Sequence, residues 1–158
     1  GSHVISEYGI GMDPMMHFYQ HDMGEFEDGV CKALQKAIGL PYSPYCVKGS
    51  EELIELFRDN MTVGNTLTCH GFYGPQGRTL RVPIKYPNLI EQLNYFHHND
   101  FWLTNLEMET AGYYGLAKVL GHEMISLNAI IANRVRNKFS KNPNKVIDAL
   151  IRKVLDKI

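Results

Sequence analysis

Apolar and polar positions alternate with two periods along this chain, and the two periods divide it into short elements. HVISEYGIG opens on a β-branched run and reads as the start of a strand. FEDGVCKALQKAIGL sets Val30, Leu34 and Ile38 four apart on one helical face, with Gly39 placed as a C-cap. YCVKG is a short strand, and in SEELIELFRDN Ser50 is an N-cap ahead of an apolar face of Leu53, Ile54 and Phe57. MTVGNTLTCHGFYGPQGRTLRV starts as a strand and breaks into a Gly/Pro loop. PNLIEQLNYFHHND begins a helix at Pro87 with Leu89, Ile90, Leu93 and Phe96 as its stripe.

FWLTNLEME then reads as a strand and TAGYYGLAKVLGH as a helix whose Gly112 and Gly115 permit close packing. EMISLNAIIANRV is mostly apolar, as expected of a strand buried on both faces. NPNKVIDALIRKVLDKI closes as an amphipathic helix on Val146, Leu150 and Val154, with Ile147 and Ile151 alongside. Such alternation implies an α/β layered fold with a largely parallel or mixed sheet. Ligands of such sheets sit at the carboxyl ends of strands, where Glu107, Glu109 and the loop after Thr68 fall.

Composition narrows this picture by exclusion. The 158 residues suit a single domain spanning 1–158, with 44% hydrophobic and 21% charged residues. A formal net charge of -1 argues against an electrostatic grip on nucleic acid, although the last stretch is locally basic. No apolar run approaches the ~20 residues that span a bilayer, so no membrane partner is expected. Three cysteines without paired spacing fit a reduced, cytoplasmic protein with thiols in its core.

Two stretches could carry chemistry. In TCHGFYGPQGRTLR, Gly71, Gly74, Pro75 and Gly77 hold Gln76 and Arg78 on a shaped turn. An amide and a guanidinium fork match the edge of a planar ring with alternating C=O and N–H groups, such as a pyrimidinedione, and Phe72 is a stacking candidate. The competing expectation is a surface turn whose arginine pairs with a nearby acid. In LEMETA, Glu107 and Glu109 share one face if both lie on a strand, and a carboxylate suits a vicinal diol. The competing expectation is acidic charge at a helix N-terminus.

Metal spacing is poor. His17 and His21 lack the glutamate of a zinc protease motif, adjacent His97 and His98 cannot share an ion on a helix, and Cys69–His70 has no second pair. No metal is expected. Cys69 and His70 also make a poor nucleophile pair, because neighbours on a strand face opposite ways.

GFYGPQGR, then LEMETA, then NAIIANRV resembles the C-terminal half of the uridine phosphorylases in the nucleoside phosphorylase family. Their Phe-Tyr-x-x-Gln-x-Arg signature for uracil matches Phe72, Tyr73, Gln76 and Arg78. Their Glu-Met-Glu-Ser/Thr-Ala signature for ribose matches Glu107, Met108, Glu109, Thr110 and Ala111. The opening VISEYGIGMD is similar to the start of that half, with GSH then native sequence at a strand start.

The resemblance implies a layered α/β/α fold with a mixed sheet, incomplete in this chain, which would be the C-terminal portion of the domain. It implies reversible phosphorolysis of uridine to uracil and ribose 1-phosphate, a pentosyl transfer of pyrimidine salvage. No cofactor is implied, with phosphate as co-substrate. Gln76 would meet N3 and O2 of uracil and Arg78 its O4, as the catalytic pair. Ile131 and Ala132 would line the base pocket, with Arg134 at its mouth. Glu109 would take the ribose hydroxyls, Met108 would pack beneath the sugar, and Glu107 would support them.

Purine-cleaving members carry an acid in the strand matching SLNAIIANR, and residues 125–135 hold none. Alternatives are a nucleoside hydrolase, a purine-directed member, or a non-catalytic nucleoside-binding module. The family's phosphate site lies in the other half, so this chain alone is expected to self-associate or pair with that half and to show negligible phosphorolysis. The full-length enzyme would be a cytoplasmic homo-oligomer, a dimer or a hexamer of dimers.

Overall fold

The computed structural model describes all 158 residues, Gly1–Ile158. β1 (His3–Gly11) is the axis of the sheet. After a short 3-10 turn at Met15–Phe18, α1 (Glu25–Ile38) leads into β2 (Tyr45–Lys48), which pairs antiparallel with the second half of β1. α2 (Glu51–Phe57) then crosses to β3 (Thr62–Thr68), parallel to β1. α3 (Leu89–Tyr95) and the two-residue β4 (His97–His98) precede β5 (Phe101–Glu107), parallel to β3. α4 (Thr110–Leu120) follows at once. The path β2-β1-β3-β5-β4 is therefore a mixed sheet with a parallel centre, as expected for the α/β layered class.

Local chemistry sets the helix ends as read from the sequence. Gly39 closes α1 at φ 76°, donating its N–H to Gln35 O, and the acids Glu25, Glu27 and Asp28 sit in the first turn, where the helix dipole favours them. Ser50 Oγ accepts from Leu53 N at 3.3 Å and caps α2.

The core lies on both faces of the sheet. On one, Val30, Leu34 and Ile38 of α1 and Leu89 and Leu93 of α3 pack on Ile10 and Leu67. On the other, Ala111 and Tyr114 of α4 pack with Met16, Tyr45 and Val47. Ile5, Ile54 and Phe57 form a third cluster. Of the two helix glycines, Gly115 serves tight packing, because a Cβ would stand 2.5 Å from Met16 Sδ and force that side chain to move; at Gly112 the nearest atom is Met15 Cε at 3.6 Å. No helix is long and apolar enough to cross a membrane.

Two expectations change. EMISLNAIIANRV is not a strand buried on both faces. β6 covers only Leu127–Ala129, antiparallel to β1, and its residues are half-buried. β6 shares one edge of β1 with β2, which pairs Tyr8–Gly11 and leaves only His3–Ile5 for β6. The chain then turns into the small hairpin β7 (Ala132–Asn133) and β8 (Lys138–Phe139). α5 (Pro143–Leu155) is the amphipathic helix expected, capped by Asn142, but none of its residues is buried. Val154 reaches the third cluster while Ile151 and Leu155 stay exposed.

Candidate functional site

The parallel strands β1, β3 and β5 end together at Gly11, Thr68 and Glu107, so the segments that follow them form one rim. Glu107 is the most heavily bonded group on it. Its Oε1 accepts from Thr68 Oγ1 at 2.6 Å. Its Oε2 accepts from the backbone N–H of Glu109 and Thr110 at 2.8 Å each, and from Thr110 Oγ1 at 2.9 Å. Thr68 Oγ1 in turn accepts from Ala111 N at 2.9 Å. Glu107 thus satisfies the free N–H groups that open α4, where a negative charge is favoured by the dipole.

The strand stops at Glu107, so Glu107 and Glu109 do not share a strand face. Glu109 stands at the N-cap position of α4 with φ -133° and ψ -36°, and its side chain is exposed. Its Oε2 accepts only from Met108 N, at 3.2 Å, and its Oε1 has no protein partner. Met108 lies half-buried between the two acids. Of the pair, Glu107 holds the turn and Glu109 is free to meet a ligand.

The base loop folds on itself. A 3-10 turn at Gly74–Gln76 is closed by Gly77 at φ 67°, and Gln76 N and Arg78 N both donate to Tyr73 O, at 3.0 and 2.9 Å. Arg78 pairs with no acid, against the competing expectation. Its Nη1 donates to Phe72 O at 2.5 Å and to Gln76 Oε1, and its guanidinium lies 3.8 Å from the centre of the Phe72 ring. Gln76 is 5% exposed.

Arg134 reaches in from the short β7–β8 hairpin and donates to Gln76 O at 2.6 Å. Burial and the neighbouring Arg78 charge both lower its pKa. Two guanidiniums therefore converge on one buried residue, Arg78 at its side-chain oxygen and Arg134 at its backbone carbonyl, and neither forms a salt bridge within the protein. Such a place favours an electron-rich planar group.

Phe72, Gln76, Arg78 and Arg134 are thus brought together, and Met108 and Glu109 stand at the end of the adjacent parallel strand. Ile131 and Ala132 lie on the exposed approach to Arg134, and Arg134 alone of that segment bonds the base loop. Cys69 is fully buried, and burial pushes its thiol up to about 12, so it is no nucleophile. Asp13 and Tyr45 escaped the sequence reading. They meet at the rim with His70, and only their convergence in space identifies them. Hollows of about 400 and 570 Å³ open elsewhere, beside Lys153 and beside Lys118.

Among solved structures, the chain superposes on a nucleoside phosphorylase of Trypanosoma brucei described as showing uridine phosphorylase activity. The TM-score is 0.87 at 21% identity, over 99% of this chain and 57% of that one. The fold is that of the nucleoside phosphorylases. Isoform 2 of uridine phosphorylase from Schistosoma mansoni gives a TM-score of 0.58 at 18% identity, over 97% of this chain and 51% of that one. A uridine phosphorylase of the oomycete Phytophthora capsici gives 0.52 at 20% identity, over 95% and 55%. The chain therefore spans little more than half the length of these proteins. No protein-family model matches the sequence, and no curated protein matches it.

Proposed function

We propose that the rim binds a pyrimidine nucleoside, with uracil at Gln76, Arg78 and Arg134 and ribose at Glu109 and Met108. In the whole protein, the reaction is the phosphorolysis of uridine. The observation that carries this reading is buried Gln76, whose side-chain oxygen accepts from Arg78 and whose backbone carbonyl accepts from Arg134, neither arginine having an acidic partner. The remaining lone pair of Gln76 Oε1 suits the N3–H of uracil, its amide nitrogen suits O2, and Arg78 suits O4.

As the glycosidic bond loosens, negative charge gathers on the departing uracil and positive character on the sugar. A donor aimed at developing charge contributes about 2.7–4 kcal/mol. Arg78 and Arg134 are such donors. Glu109 holds the sugar hydroxyls so that C1′ faces the incoming phosphate, which is a matter of orientation. Phosphate must be seated largely by parts of the fold beyond this chain, since the chain spans about half the length of its structural neighbours.

A second reading is a nucleoside-binding module without turnover. Uracil release from uridine by the whole protein separates the two. Release that requires phosphate supports phosphorolysis, release without phosphate supports a hydrolase, and binding without release supports the module. Unchanged uridine binding in both Gln76→Ala and Arg78→Lys would overturn the base site itself.

A further inference from the structure

His70 leaves β3 at the rim and turns its Nδ1 to within 2.9 Å of Asp13 Oδ2, on the segment that leaves β1. Asp13 is held through one oxygen, and its buried Oδ2 has no partner besides the contact to His70. Its side chain is 16% exposed, and its Oδ1 accepts from Met15 N at 2.8 Å. Tyr45, 2% exposed, has a buried hydroxyl with no hydrogen-bond partner, and burial together with the Asp13 charge raises its pKa, so it stays a neutral phenol near that carboxylate. Partly burying a carboxylate and fully burying a phenol are both unfavourable unless they gain partners. The carboxylate stands against one imidazole, with the phenol behind it.

The arrangement has a defined chemistry. In the neutral imidazole, a carboxylate 2.9 Å from Nδ1 favours the proton there and leaves Nε2 as an acceptor. Nε2 lies 3.9 Å from where a Cβ would stand on Gly112, in the first turn of α4, whose N-cap residue is Glu109. The imidazole side chain is 44% exposed, at the same rim as the free Glu109 carboxylate. Carbonyl oxygens of a base and the oxygens of a phosphate dianion are acceptors and do not match it. Sugar hydroxyls are donors and do.

We propose that His70 is a sugar-binding residue, its Nε2 accepting a hydrogen bond from one ribose hydroxyl, with Asp13 and Tyr45 as its positioning residues. This rests on the nucleoside site described above. Glu109 and His70 then hold the sugar from two acceptors, one following β5 and one following β3.

The test is calorimetric titration of the chain with uridine and with its 2′-, 3′- and 5′-deoxy analogues. His70→Ala should weaken uridine about tenfold, the loss of one hydrogen bond. One of the three deoxy analogues should bind wild type and variant alike, because it lacks the hydroxyl concerned. Asp13→Asn should show the same pattern with a smaller loss. His70→Gln, which keeps an acceptor on a similar reach, should recover part of the uridine affinity and covers the case in which His70→Ala fails to fold.

Equal weakening of all four ligands, or of none, overturns the proposal. So does ¹⁵N NMR of the wild type that finds the His70 proton on Nε2 rather than Nδ1. A wild-type chain that binds none of the four ligands overturns the nucleoside site as well, whereas wild-type binding with a uniform response overturns the sugar role alone.

Discussion

The two halves of the rim are built in opposite ways. At the sugar turn, Glu107 is woven into the sheet and the helix, with Thr68, Glu109 and Thr110 all donating to it. At the base loop, Phe72, Gln76 and Arg78 mainly hold one another, and Phe72 and Tyr73 stand half-exposed. The same ligand would touch both, yet only the first is continuous with the hydrogen bonds that hold the fold. Substitutions at Glu107 should therefore act on stability, and substitutions in the loop should act on recognition.

The largest effect should come from Glu107→Ala. Four donors, two of them backbone N–H groups at the start of α4, would lose a charged acceptor, at a cost of about 3 kcal/mol. Urea unfolding checks this, and a loss below ~1 kcal/mol would break the contrast. Next comes Arg78→Lys, which replaces a fork by a point charge. It should lower kcat/KM of the whole protein on uridine about 100-fold, while stability moves by no more than ~0.5 kcal/mol. If the unfolding midpoint falls as far as for Glu107→Ala, the loop is part of the scaffold after all.

Tyr114 extends the comparison beneath the sugar turn. It is 1% exposed, its hydroxyl donates to Ser6 O at 2.6 Å, and it accepts from Ser126 N at 2.8 Å. Tyr114→Phe should cost about 1 kcal/mol. Burial raises the phenol from 10.0 to about 12, so the folded state keeps a proton that the unfolded chain releases above pH 10. The resulting stability is fully present below pH 10 and is lost as pH rises through about 12. Urea midpoints on either side of pH 10 should fall more steeply for the wild type than for Tyr114→Phe.

Glu109→Gln should have the smallest effect on stability. Its exposed side chain touches only Met108 N, so stability should not move, while uridine affinity should fall about tenfold. The loss should be smaller for 2′-deoxyuridine. Equal losses on both ligands would remove Glu109 from the 2′-hydroxyl.

Much of the scaffold was legible because its signals are local. Val30, Leu34 and Ile38 at helical spacing, Gly39 at a left-handed cap and Ser50 at an N-cap each report on neighbouring residues only, and each stands where expected. The strand expected across residues 123–135 misled because an apolar run does not reveal how much of an edge is free, and β2 had already taken half of β1. The different duties of Glu107 and Glu109 were hidden because the strand ends between them. Asp13, Tyr45 and His70 carry no shared local pattern. The sheet makes them neighbours by running β1 antiparallel to β2 and parallel to β3, and no spacing along the chain records that.

The most direct test is to titrate the ¹⁵N-labelled chain with uridine and follow every backbone amide. A nucleoside held on this rim should shift the amides of residues 69–78, 107–112 and 131–135, and leave α2, α3 and the hollow beside Lys153 untouched. Shifts confined to that hollow, or no saturable shifts at the rim at all, would contradict a nucleoside site at the carboxyl ends of β1, β3 and β5.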